Sequence, residues 1–172
     1  MTELLVMRHA KSDWSGFQAD IDRPLNKRGQ NDADLMGARL LAMNIIPDRI
    51  VSSPSQRTRD TVDGLQHHLE LDTDRIEYDP MLYLASKSLL LDCIRDNIVE
   101  GERLMILAHN PGIDDLVERL SDRPLPLTDT MKLMTTAALA HFSVELKDGR
   151  FDPSSVRLIQ LLRPKDTVST DN

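Results

Sequence analysis

Short apolar runs alternate with stretches of helical periodicity along most of this chain, and that alternation constrains its fold more than any other feature. Glu3 to Met7, Arg49 to Ser52, Ile76 to Tyr78 and Arg103 to Ala108 read as strands. Between and after them, Ala33, Met36, Leu40 and Met43 recur at helical spacing, as do Thr61, Val62, Leu65 and Leu69, and Ile113, Leu116, Val117 and Leu120. A further helix is expected from about Ser86 to Asn97. Asn26 is placed to cap the first helix, Ser53-Pro54 the second, and Asn110-Pro111 opens the last. Parallel neighbours need crossover connections, so strands that alternate with helices predict a mainly parallel sheet covered on both faces.

The C-terminal part changes character. Ala140, Phe142, Val144 and Leu146 alternate with polar residues, Asp148-Gly149 signals a turn, and Val156 to Leu162 offers a last strand. The expected class is therefore α/β with a mixed sheet, in a single domain over residues 1–162. Residues 163–172 read as a polar tail. A chain of 172 residues is long enough for one full core.

Charge and composition exclude several roles. A net charge of −7 argues against nonspecific nucleic-acid binding, which needs a basic surface, and leaves room for a local basic pocket. No apolar stretch approaches the roughly 20 residues of a membrane helix, and Arg8 interrupts the first apolar run early, so no membrane association and a cytoplasmic setting are expected. The single cysteine, Cys93, falls in the apolar pattern of Leu89, Leu90 and Ile94 and reads as a core thiol.

In open α/β sheets, ligands sit outside the carboxyl ends of the strands. There the first strand ends in Arg8-His9, the second in Ser52-Ser53 with Arg57 about one turn further on, and the fourth in His109. Two arginines and two histidines at one sheet edge suit a phosphoryl group, because guanidinium forks match phosphate oxygens and helix N-termini add unpaired N–H donors. A neutral imidazole can attack phosphorus in line, a second histidine can bind the transferring group, and a separate acid must protonate the leaving oxygen. Such chemistry needs no metal and no cofactor. His67-His68 are read as surface residues, since helix neighbours point about 100° apart and do not share an ion. His141 falls on the polar side of an alternating strand, and Trp14 is expected to pack the loop.

These residues carry a resemblance. Met7-Arg8-His9-Ala10, Ser52-Ser53-Pro54-Ser55-Gln56-Arg57-Thr58-Arg59-Asp60-Thr61 and Ala108-His109-Asn110-Pro111 resemble, in order, three motifs of the histidine phosphatase superfamily, whose fold is phosphoglycerate mutase-like. The stretches Asp20 to Gly29 and Met134 to Ala140 are similar to its SixA-like phosphohistidine phosphatase branch. The resemblance implies a three-layer α/β/α sandwich around a sheet of about six strands, one of them antiparallel. It further implies His9 as nucleophile, Arg8 and Arg57 as phosphate ligands and His109 as the second pocket histidine. Ser15 stands where many members have an asparagine that contacts phosphate, and Arg23 reads as either a substrate-facing cation or a salt-bridge partner. Ala10 replaces the signature glycine. Leu84 aligns with the glutamate that serves many members as acid, so Asp20 and Asp22 become the candidate general acids. A leucine at that position favours phosphohistidine, whose P–N bond is labile, over a sugar phosphate. The expected partner is a phosphorylated protein, with a small phosphorylated substrate as the alternative; a mutase, which needs a larger closing region, and a phosphate-binding module without turnover are the other readings. Oligomeric state is open.

Overall fold

The structure is a computed structural model describing residues 1–166. Six strands form one sheet: β1 (Thr2–Arg8), β2 (Arg49–Ser52), β3 (Ile76–Tyr78), β4 (Arg103–Ala108), β5 (Leu139–Val144) and β6 (Val156–Leu162). Four α-helices connect them: α1 (Lys27–Ala42), α2 (Gln56–Leu69), α3 (Lys87–Asn97) and α4 (Gly112–Leu120). The strand order is β3-β2-β4-β1-β5-β6. β1, β2, β3 and β4 run parallel, and β5 is antiparallel to both of its neighbours. This is the mixed sheet expected from the sequence.

Alternate residues of β1 supply opposite faces, as the twofold side-chain period of a strand requires. Leu4 and Val6 join an apolar layer with Leu90, Ile94, Leu116 and Val117 from α3 and α4. Leu5 and Met7 join a second layer with Met36, Leu40, Val62 and Leu65 from α1 and α2. All of these side chains are buried, each stabilising the fold by roughly 1.5–3 kcal/mol relative to exposure. Burial on both faces explains why the central strands read as continuous apolar runs.

Local signals mostly act as anticipated. Asn26 Oδ1 accepts from the Gly29 N–H at the start of α1, and Ser86 caps α3. The start of α2 is a correction: Ser55, not Ser53, is its N-cap residue, and the helix begins at Gln56. Ser53 is instead drawn away by a long-range partner described below. Gly29 permits a close approach, because a Cβ there would lie 2.1 Å from the Lys11 carbonyl oxygen. The Asn26 N–H donates to that same oxygen at 3.0 Å, so the loop after β1 is tied to the first turn of α1.

Beyond β6, residues 163–166 pack rather than trail. The buried Arg163 donates from Nε to the Leu133 carbonyl at 3.0 Å, and Arg39 donates to the Arg163 carbonyl at 2.7 Å. The remainder of the expected tail, 167–172, lies outside the described residues. Cys93 is buried in the α3 layer, where burial pushes its thiol up to about 12. Its reactivity is correspondingly low. Among the described residues no helix is long and apolar enough to cross a membrane.

Candidate active site

Register places the histidines together. β1 and β4 are adjacent and parallel with Arg8 opposite Ala108, so the next residue of each strand, His9 and His109, emerges at the same edge. Their ring centroids are 5.1 Å apart. β2 flanks β4 on the other side, and the Ser53 N–H donates to the Leu107 carbonyl at 3.0 Å, which brings Ser53 beside His109. Arg57, in the first turn of α2, reaches into the same space with 2% of its surface exposed.

Hydrogen bonds set the imidazole states. His9 Nδ1 lies 2.7 Å from the Ala10 carbonyl oxygen, which can only accept, so the proton sits on Nδ1 and the Nε2 lone pair is free. Ala10 keeps that carbonyl in place: its N–H donates to Thr61 Oγ1 at 3.0 Å, and the Thr61 hydroxyl donates to the Arg57 carbonyl at 2.7 Å. The threonine of the second motif thereby fastens the end of β1 to α2. His109 Nδ1 faces Arg57 Nη2 at 3.3 Å, and Nε2 lies 2.7 Å from Ser53 Oγ. A guanidinium can only donate, so Nδ1 accepts and Nε2–H donates to the serine.

Burial pulls the His9 imidazole down to about 3, with the positive charges of Arg57 and Arg8 adding to the effect. Burial likewise lowers His109 to about 4, Arg57 contributing and the Asp20 carboxylate opposing. Both rings are neutral at neutral pH. In the unfolded chain they titrate near 6.5, so below that value the unfolded state binds more protons and the native state loses stability as the pH falls. The expected result is a urea midpoint that is flat above about pH 7 and declines from about pH 6.5 toward 4. A midpoint unchanged between pH 7.5 and 5 would contradict buried neutral histidines.

Asp20 sits opposite. Its carboxylate accepts from the Tyr83 hydroxyl at 2.6 Å and from Arg57 Nη2 at 3.0 Å, and pairs with Arg23 at 2.8 Å. The Tyr83 hydrogen bond and the two arginines hold it below the usual carboxylate range despite some burial. Arg23 lies 3.5 Å over the Trp14 ring, so Trp14 packs on a cation of its own loop at the pocket mouth. Leu84 lines the pocket with φ of 51°, where it offers no proton. Arg8 donates from Nη1 to the Met134 carbonyl at 2.8 Å, while its buried Nε and that of Arg57 have no partner.

The resulting cavity of about 330 Å³ brings together His9, His109, Arg8, Arg57, Asp20 and Arg23. Ser15 and Asp22 are exposed and lie outside its wall; the Ser15 N–H donates to Asp13 Oδ1 at 2.8 Å. Sequence reasoning gives Ser53 only a helix-capping role and Tyr83 none. Ser53 stood within a quoted motif, which was a usable signal, whereas Tyr83 had only its position beside Leu84.

Of the other histidines, His67 and His68 lie at the surface as expected, and His141 departs from expectation. His67 Nδ1 and His68 Nε2 both lie 3.1 Å from Asp34 Oδ1, because the side chains bend from either side toward one acceptor on α1. His141 is buried, not solvent-facing, and its Nε2 lies 3.1 Å from Glu3 Oε2. Among the described residues no cluster of three metal-ligating side chains occurs.

Two guanidinium groups around paired neutral imidazoles, at the carboxyl edge of a mixed α/β sheet, make a cavity chemically suited to a phosphoryl group. A family model described as histidine phosphatase superfamily, branch 1, matches residues 4–82. That match covers under half of the chain, which over its fold resembles SixA-like members of the superfamily. A crystal structure from Agrobacterium tumefaciens, assigned as the phosphohistidine phosphatase SixA, is 25% identical with a TM-score of 0.74, over 95% of this chain and 98% of that one. An uncharacterized chloroplastic protein of Arabidopsis thaliana is 28% identical over 72% of this chain and 61% of its own length. An uncharacterized protein of Mycobacterium tuberculosis is 33% identical over 61% of this chain and 63% of its own length. The chain thus spans under two thirds of these curated relatives.

Proposed function

We propose that this chain is a metal-independent phosphatase that passes a phosphoryl group through His9, and that its substrate is phosphohistidine on a protein. The observation that carries the reading is the His9 ring itself: neutral, oriented by Ala10, with Nε2 unprotonated beside Arg8, Arg57 and His109. Nε2 attacks phosphorus in line, the bond from phosphorus to the leaving nitrogen breaks, and the departing imidazole takes a proton. Water then attacks the phosphohistidine, the Nε2–P bond breaks, and inorganic phosphate leaves with His9 restored.

The guanidinium groups of Arg8 and Arg57 hold the equatorial oxygens. His109, held by its Nε2–H donation to Ser53 and its Nδ1 acceptance from Arg57, lines the same pocket. Proton supply supports the choice of substrate. Leu84 cannot donate, and Asp20 is held as a carboxylate by Arg57, Tyr83 and Arg23. A P–N bond whose leaving imidazole can draw its proton from water tolerates that arrangement; an alkyl phosphate does not. The assignment of the Agrobacterium tumefaciens neighbour as a phosphohistidine phosphatase points the same way.

Turnover of a phosphohistidine-bearing protein is expected to exceed that of small alkyl phosphomonoesters by about 10²-fold or more in kcat/KM, the usual worth of general acid catalysis. Equal or faster turnover of the small esters would move the assignment to a small-molecule phosphatase. Tight phosphate binding with no turnover of any substrate would mean a binding module.

A further inference from the structure

A second cavity, of about 470 Å³, opens beside the catalytic one and shares Arg8, Lys11 and Thr136 with it. Arg28 from the first turn of α1, the segment 128–136 and the turn 163–166 complete its wall. Six cationic side chains line it, Arg8, Lys11, Arg28, Lys132, Arg163 and Lys165, against the carboxylates of Asp129 and Asp166. That concentration of positive charge is out of keeping with a chain whose net charge is −7.

Its cations differ in how far they are engaged. The Arg163 guanidinium is spent on the Leu133 and Pro126 carbonyls, and Arg28 pairs with Asp32 at 3.5 Å. Lys11, Lys132 and Lys165 make no ion pair among the described residues. The Asp166 carboxylate accepts from the Arg163 backbone N–H at 3.1 Å, so it is turned to the turn that bears it. Three unpaired ammonium groups around a concave wall that also carries threonine hydroxyls form a receptor for anionic oxygens. A wall shared with the phosphoryl pocket puts that receptor within reach of a bound substrate.

We propose that this cavity is a second anion subsite, which receives a phosphate or carboxylate carried on the leaving side of the substrate. The proposal rests on the phosphatase reading of the adjoining pocket. Under it, Arg8 faces both cavities, the transferred phosphoryl group occupies the one with His9, and the lysines select substrates with a further negative group. Those groups have two sources, a second phosphate on a small molecule or acidic side chains flanking the phosphorylated residue of a protein.

The test compares the wild type with the double variant Lys132→Ala/Lys165→Ala on para-nitrophenyl phosphate and on two substrate pairs. One pair is a hexose bisphosphate against its monophosphate; the other is a phosphohistidine peptide with acidic flanks against one with neutral flanks. In the wild type the more anionic member of at least one pair is expected to be favoured about tenfold in kcat/KM, as loss of two partly solvated charge contacts implies. The double variant should lose that preference while keeping its rate on para-nitrophenyl phosphate, and the pair that responds identifies the source. No preference in either pair, or a preference that survives the substitutions, overturns the subsite. If no substrate turns over, the phosphatase reading falls, and calorimetric binding of inorganic pyrophosphate decides the subsite alone: weaker by about tenfold in the double variant if it exists, equal if it does not.

Discussion

Replacement of His9 by alanine is expected to lower turnover by on the order of 10⁴-fold or more, as removal of a nucleophile does elsewhere. No neighbour can take its place. His109 has Nε2 engaged with Ser53 and Nδ1 turned to Arg57, so neither nitrogen offers a lone pair in line with a phosphorus held by the two arginines. The variant should also fail to form an acid-labile phosphoenzyme during turnover, which rapid acid quench and neutralised gel analysis would reveal. His9→Ala protein that retains full activity on para-nitrophenyl phosphate would end the phosphohistidine mechanism. Folding is a lesser concern, because the His9 side chain makes only the local bond to Ala10.

Arg57→Ala should cost about 10²–10³-fold in kcat, the loss typical of removing one preorganised donor to a developing anion. Arg57 is almost wholly buried, and its guanidinium meets the Asp20 backbone carbonyl at 2.6 Å, the Asp20 carboxylate at 3.0 Å and His109 at 3.3 Å. Its removal also strips the Asp20 carboxylate of a cation at the mouth of an anion site. Arg57→Lys keeps the charge and loses the fork, so it should recover only part of the rate. Full recovery by lysine would mean that charge alone, not bidentate geometry, holds the phosphoryl group. A rate unchanged in Arg57→Ala would remove the arginine from the site.

The sheet was legible because its central strands are buried on both faces and so carry unbroken apolar runs, as Arg103 to Ala108 illustrates. The pocket histidines were legible because each follows a strand directly, and a parallel register turns that shared position into proximity. Ser53 was read as a helix cap because Ser-Pro before a periodic stretch is a local signal; its actual partner, His109, is 56 residues away and leaves no local trace. His141 was assigned to the polar side of its strand by alternation. Alternation fails there because both sheet faces are covered, and Glu3 from the neighbouring β1 gives the imidazole a buried partner. Asp20 sits in a loop without periodicity, so only tertiary contact could place it on Arg57.

The Asp20–Arg57 contact gives the pocket a tenant of its own. A carboxylate held in the same fold is present at millimolar effective concentration or above, whatever the solution contains. Any phosphate that settles on Arg57 must dislodge it, and Asp20 is waiting to return. Free phosphate, the end product, therefore holds the arginine against a standing competitor, while a substrate with contacts elsewhere has those contacts to tip the exchange in its favour. Under the phosphatase reading, this competition is expected to favour release of the product phosphate.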